Sequence, residues 1–224
     1  MSKTVLISVF DKRGVVELAN FLDSAGWRIL SSGGTFKKLT NECLNLNIQE
    51  ISDYTGVEEM LGGRVKTLHP FIHGGILADR SKETHMDELK KLGIGSIDMV
   101  IVNLYPFEKV IQKDDVTMEE AVENIDIGGH TLIRAAAKNF KDVTVVVNPS
   151  DYKSLVNSLV YDSLNLDMRR KFASKAFSHI MRYDYFIANY FGSEDENFLI
   201  KGWKKEYNLK YGCNPQQNCA AIYR

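Results

Sequence analysis

The chain alternates short, wholly apolar runs with stretches whose apolar positions recur every three or four residues. Val5 to Ser8 is the first such run. It leads through a turn at Asp11 and Gly14 into a segment with Val15, Leu18, Ala19 and Leu22 on one helical face. Trp27 to Leu30 predicts a second strand, after which Ser31 and Ser32 run into Gly33, Gly34, Thr35 and a helix carrying Phe36, Leu39 and Cys43. Ile48 to Ile51, Met99 to Val102 and Val143 to Val147 predict three more strands. The last two are apolar runs, interrupted only by Thr144, as expected of strands buried on both faces of a parallel sheet. Thr117 and Glu120 have the spacing of a capping box, and Thr131 to Phe140, around Ala135, Ala136 and Ala137, predicts a further helix. Strands alternating with helices predict an α/β fold with a mostly parallel, doubly wound sheet.

Beyond Asn148 and Pro149 only helical periodicity remains, near Asp151 to Val160 and again from Asp167 to Phe191. The longer segment sets Met168, Phe172, Ala176, Ile180, Tyr183, Ile187 and Tyr190 on one stripe, suited first to packing on the sheet domain and second to a subunit interface. The predicted organisation is a sheet domain at 1–148, a C-terminal helical extension at 149–203 and a distinct tail at 204–224.

Composition narrows the function. With 28 basic and 29 acidic residues among 224, the net charge is −1, so no global field collects nucleic acid or anionic membrane. Any phosphate must be held locally. Cys43, Cys213 and Cys219 form no C-x-x-C pair and leave an odd thiol, which predicts neither a disulfide framework nor a cysteine zinc site and suits a reducing cytoplasm. The N-terminal apolar run is cut by Asp11, Lys12 and Arg13 and is too short for a signal peptide or a membrane span.

Ligands of an open parallel sheet bind beyond the carboxyl ends of its strands, and four loops stand out there. Ser8 to Lys12 offers a hydroxyl and a cation, although taken alone a solvated turn is the favoured reading. Ser32-Gly33-Gly34-Thr35 runs from a strand into a helix, where glycines admit an anion to the free N–H groups of the helix start. Arg64 and Lys66, two apart in an expected extended segment, project to the same side and suit a phosphate. His69 and His73 have a spacing compatible with a metal, but Pro70 disfavours the helix that would align them and no acidic or cysteine ligand lies nearby. The fourth region joins Asn103 to Phe107, after an apolar strand, with Asp126 to Gly129 at the start of a helix bearing Arg134 and Lys138. By periodicity alone Lys138 is a surface lysine near a helix end.

Taken together, Ser32-Gly33-Gly34-Thr35, Arg64-Val65-Lys66-Thr67-Leu68-His69-Pro70, Asn103-Leu104-Tyr105-Pro106-Phe107, Asp126-Ile127-Gly128-Gly129 and Arg134-Ala135-Ala136-Ala137-Lys138-Asn139 resemble the cyclohydrolase half of the bifunctional purine biosynthesis protein, which joins an AICAR transformylase to an IMP cyclohydrolase. The resemblance covers nearly the whole chain. It implies a methylglyoxal-synthase-like domain, a homodimer, and closure of 5-formamidoimidazole-4-carboxamide ribotide to IMP with loss of water. It implies no cofactor and no metal. Carried over by motif, Phe10, Asp11 and Lys12, Ser32 to Thr35, and Arg64, Val65, Lys66 and Thr67 hold the 5′-phosphate and ribose. Val102, Asn103, Asp126, Ile127 and Gly128 surround the base. Lys138 is the implied proton donor and acceptor, with Tyr105, Asp126 and Lys66 as collaborators. Phe10 departs from the serine of many relatives. In the tail, Lys210 to Gln217 resembles the opening of the transformylase half, with Lys210 and Gln216 in place of its usual arginine and histidine, so 204–224 reads as a truncated or degenerate start of that half. Methylglyoxal synthase and the effector-binding module of carbamoyl phosphate synthetase share the implied fold and are the rival readings. The first has a different motif set, and the second has little need of Tyr105, Asp126 and Lys138 together.

Overall fold

The computed structural model describes residues 2–192, 205–209 and 220–223. The chain opens with β1 (Thr4–Val9), α1 (Val15–Ser24), β2 (Arg28–Ser31), α2 (Gly33–Glu42), β3 (Ile48–Glu50) and α3 (Ile51–Thr55). A 3₁₀ turn at Leu61–Gly63 precedes α4 (Pro70–Leu77), α5 (Glu83–Leu92) and β4 (Met99–Asn103). There follow α6 (Phe107–Val110), α7 (Met118–Glu123), α8 (Gly128–Lys138) and β5 (Thr144–Val146), then α9 (Tyr152–Val160) and α10 (Leu166–Tyr190). The first five strands form one sheet in the order β3-β2-β1-β4-β5, every neighbouring pair parallel. Val5 lies opposite Ile29 on one side and Met99 on the other. β1 and β4 are central, which is why Val5 to Ile7 and Met99 to Ile101 are apolar and fully buried.

The expected strands and helices are present, with shifts that have local causes. β2 begins at Arg28, because Trp27 turns inward as part of the core ahead of the strand. Ile51 belongs to α3, where it is buried, and not to β3. α8 starts at Gly128, three residues ahead of Thr131, since glycines tolerate its tight docking. The expectation that Pro70 works against a helix is corrected: Pro70 is the first residue of α4, where its missing N–H costs nothing. His69 caps that helix, its Nδ1 accepting the Phe71 N–H at 3.1 Å.

Two compact units divide within α10, one running to Met181 and the other from Arg182 onward. In the first, Tyr152 and Leu155 of α9 and Phe172 of α10 join the cluster formed by Val5, Leu18 and Ile29, so this part of the helical extension packs on the sheet. In the second, β6 (Lys205–Leu209) pairs antiparallel with β7 (Ala220–Tyr223). Lys210 to Gln217, together with Cys213 and Cys219, lie outside the described residues. Among the described residues no helix is long and apolar enough to cross a membrane.

Candidate active site

β2 delivers the chain to Ser32, which is extended at φ −141° and stands as the N-cap of α2. Gly33 has φ +52°, and a Cβ there would lie 2.8 Å from Lys66 Nζ. A Cβ on Gly34 would lie 3.9 Å from Lys12 Nζ. Two ammonium groups from distant loops thus converge on the first residues of a ten-residue helix, whose opening N–H groups and dipole already favour negative charge. Ser8 Oγ and Ser32 Oγ approach to 3.4 Å beside it. The side chain of Thr35 does something else. Its Oγ1 donates to the Val9 carbonyl and accepts the Val9 N–H, both at 3.0 Å, so it staples α2 to β1.

Arg64 to Thr67 is not extended, as expected from the sequence, but a turn that follows the 3₁₀ segment, with Leu68 N–H returning to the Val65 carbonyl at 2.9 Å. Gly62 and Gly63, at φ +65° and +91°, make this reversal possible. Arg64 pairs with Glu123 at the end of α7, and Lys66 pairs with Glu59 at 2.8 Å. Thr67 is buried, with its Oγ1 only 2.4 Å from where a Gly128 Cβ would sit. The turn therefore docks on the start of α8 through a glycine.

Asp126 stands at that same helix start. Its Oδ1 accepts the Gly129 N–H at 2.7 Å, and the Tyr105 backbone N–H also points to the carboxylate. Burial pushes its pKa up, while these two N–H groups and the charges of His130 and Lys66 pull the other way; burial prevails. Ser8, Arg64, Lys66, Thr67, Asp126 and Gly128 all line one cavity of about 490 Å³. A cation-rich end, a carboxylate held above its usual range and a wall of backbone N–H groups equip it to hold a phosphorylated ligand and move a proton.

The remaining sequence-predicted residues divide. Asn103 works on the protein itself: Oδ1 accepts the Asp11 N–H at 2.7 Å and Nδ2 donates to the Asp11 carbonyl at 3.1 Å, clamping the loop after β1. Phe10 packs on Tyr105 with ring centroids 4.3 Å apart, and Lys12 Nζ donates to the Phe10 carbonyl at 3.2 Å. Phe10, Asp11, Lys12 and Asn103 line a neighbouring cavity. Val102 is buried within β4 and Ile127 is half exposed at the rim of the first cavity. Val65 is in the turn but not on the cavity wall. Lys138 is exposed at the opposite end of the 11-residue α8, about 15 Å from Gly128 at the rise of a helix. Among the described residues no group of three or more His, Cys, Asp or Glu is placed to hold a metal ion. Glu59 and Glu123, which face the two cations of the turn, escaped sequence reasoning. Glu59 comes from a segment with no motif, and Glu123 ends the helix that the Thr117 and Glu120 capping box opens.

Residues 14–131 match the MGS-like domain. The chain belongs to the MGS-like domain family. Residues 136–224 of this MGS-like chain match the AICARFT/IMPCHase bienzyme. It is 49% identical over 230 residues to the bifunctional purine biosynthesis protein PurH of Acetivibrio thermocellus, covering 100% of this chain and 44% of that protein. With PurH of Prochlorococcus marinus it shares 47% over 225 residues, covering 98% of this chain and 43% of that one. The chain thus spans less than half the length of these curated relatives. Among solved structures, that of ForH superposes with a TM-score of 0.75 at 34% identity, covering 86% of this chain and 100% of the other. The resemblance read from the loops therefore extends along the chain, and the parallel five-stranded α/β sheet is the fold it implied.

Proposed function

We propose that this chain is an IMP cyclohydrolase, closing 5-formamidoimidazole-4-carboxamide ribotide to IMP as a cytoplasmic homodimer. One observation carries the reading: Ser8, Arg64, Lys66 and Thr67 line one cavity with the buried Asp126 carboxylate, and Lys66 Nζ lies beside Gly33 at the start of α2. The likeness to PurH proteins along the chain supports it. The 5′-phosphate lies on Gly33 and Gly34, and the heterocycle reaches toward Asp126 and Gly128. The carboxamide nitrogen attacks the formyl carbon, forming the ring C–N bond. Its proton passes to the Asp126 carboxylate, and the Lys66 ammonium protonates the formyl oxygen. The resulting carbinolamine loses its hydroxyl as water, with the second proton leaving nitrogen. Both reacting groups belong to one molecule, so positioning and proton transfer suffice and no nucleophile from the protein is required.

Lys138 enters this mechanism only if its ammonium arrives from a second copy of the chain, because within one chain α8 separates it from Asp126 by about its own length. The direct test mixes the chain with the formylated ribotide and chelator and follows IMP absorbance. IMP formation unaffected by chelator is expected. Activity that disappears with chelator and returns with zinc overturns the metal-free mechanism. Release of methylglyoxal from dihydroxyacetone phosphate, without IMP formation, shifts the assignment to the rival enzyme.

A further inference from the structure

Lys66 is held where a cation is poorly placed. A Cβ on Gly33 would lie 2.8 Å from its Nζ, so the ammonium rests against the first residue of α2, where free N–H groups and the helix dipole already present positive charge. An anion beside it relieves this conflict, and Glu59 supplies one, with Oε1 2.8 Å from Lys66 Nζ. The turn between the two residues builds the pairing. The Gly63 N–H returns to the Met60 carbonyl at 3.0 Å, and at φ +91° Gly63 runs so close to both groups that a Cβ there would lie 3.3 Å from Glu59 Oε2 and 3.7 Å from Lys66 Nζ. Carboxylate and ammonium are folded onto one glycine. On the same turn Arg64 is paired with Glu123, and at the start of α8 Asp126 accepts the Gly129 N–H at 2.7 Å. Glu59 is therefore the carboxylate that neutralises Lys66.

We propose that Glu59 is a tethered counter-ion, which positions the Lys66 ammonium at the start of α2 and yields it to the anionic group of the ligand. The carboxylate does for Lys66 what a bound phosphate would do, so each stands in the other's way. Only molecules in which Lys66 has left Glu59 are ready for the ligand, and the apparent affinity is reduced by that fraction. Glu59 thereby tunes a cavity whose wall it does not form. The inference rests on the proposed placing of the ligand's phosphate on Gly33, beside Lys66.

The test is calorimetric titration with IMP and, separately, with inorganic phosphate. Glu59→Gln keeps the size of the side chain and removes its charge. It is expected to tighten both ligands by about two- to fivefold, the range of a solvent-exposed ion pair. Glu59→Asp, one methylene shorter, should fall between the parent chain and Glu59→Gln. Glu58→Gln removes the same charge from the adjacent residue, which makes no ion pair with a described residue, and is expected to leave affinity unchanged. Added to Lys66→Ala, Glu59→Gln should bring no further gain. The proposal is overturned if Glu59→Gln binds no more tightly than the parent, if Glu58→Gln gains as much, or if the gain persists without Lys66. A parent chain that binds phosphate but not IMP refutes the nucleotide reading alone, and the phosphate titrations then decide on Glu59. Binding of neither refutes both.

Discussion

At Gly33 an added methyl group would lie 2.8 Å from Lys66 Nζ in a backbone conformation, φ +52°, that L side chains rarely adopt. At Gly34 the same methyl group meets nothing closer than 3.9 Å. Gly33→Ala is therefore expected to lower IMP affinity at least about tenfold by displacing a charge-assisted contact, and Gly34→Ala to change it little. Calorimetry with IMP distinguishes the two, and equal losses would show that the cradle works otherwise. Asp126 sets a second expectation. As the proposed base it must be ionised, so kcat is present above its folded pKa and falls as pH drops through it. Because burial raises that pKa, the acid limb of the rate profile should stand above the ordinary carboxylate range and vanish in Asp126→Asn. The same shift means that the folded chain binds this proton more tightly than the unfolded chain. Its contribution to stability is then fullest below the ordinary carboxylate range and declines as pH rises through the folded value.

α8 carries the argument at the scale of the element, because its two ends belong to different surroundings. Its start, Gly128 and Gly129, packs against Thr67 and Asp126 with no room for a Cβ: 2.4 Å at Gly128 and 2.6 Å at Gly129. Its last residue, Lys138, is in solvent in a single chain. Arg64→Ala with Lys66→Ala removes two cations from the ligand cavity, so IMP affinity should fall; because Lys66 is also the proposed proton donor, the double variant is read by IMP calorimetry and not by rate. The geometry of one chain predicts that Lys138→Ala retains IMP affinity and most of its turnover. A loss of about 10²–10⁴-fold in kcat at unchanged IMP affinity would instead assign Lys138 to the reacting atoms of a second copy, and steady-state kinetics on the variant decides.

Across the molecule, the turn bearing Lys66 and the helices after it must be fastened to the central strands for the cavity to hold its shape. Asp98, just ahead of β4, does part of this: it accepts the Thr4 N–H at 2.7 Å and the Arg80 guanidinium at 2.6 Å. Arg80 also donates to the Ile97 carbonyl at 3.0 Å. Asp98→Ala strips a backbone donor and a half-buried cation of their partner and is expected to destabilise the fold by roughly 2 kcal/mol. A denaturant melt reads the loss directly, and a midpoint like that of the parent chain would show that the latch is dispensable.

The apolar runs determined the sheet and its parallel sense, because a strand buried on both faces must be apolar throughout and successive βα units can return only one way. The glycines that open α2 likewise raised the expectation of an anion site, because they leave the N–H groups of a helix start open to one. Partnership was decided by the tertiary structure alone. Nothing in the spacing of Arg64 and Lys66 points to Glu123 or Glu59, to a turn in place of an extended segment, or to the meeting of Lys66 with Gly33. Nor does periodicity tell that Asn103 clamps Asp11 while Lys138 stands a helix length away from Asp126. Such pairings depend on where separate elements dock, and docking is a property of shapes assembled across the whole chain, whereas a strand or a helix start is written in a few neighbouring residues.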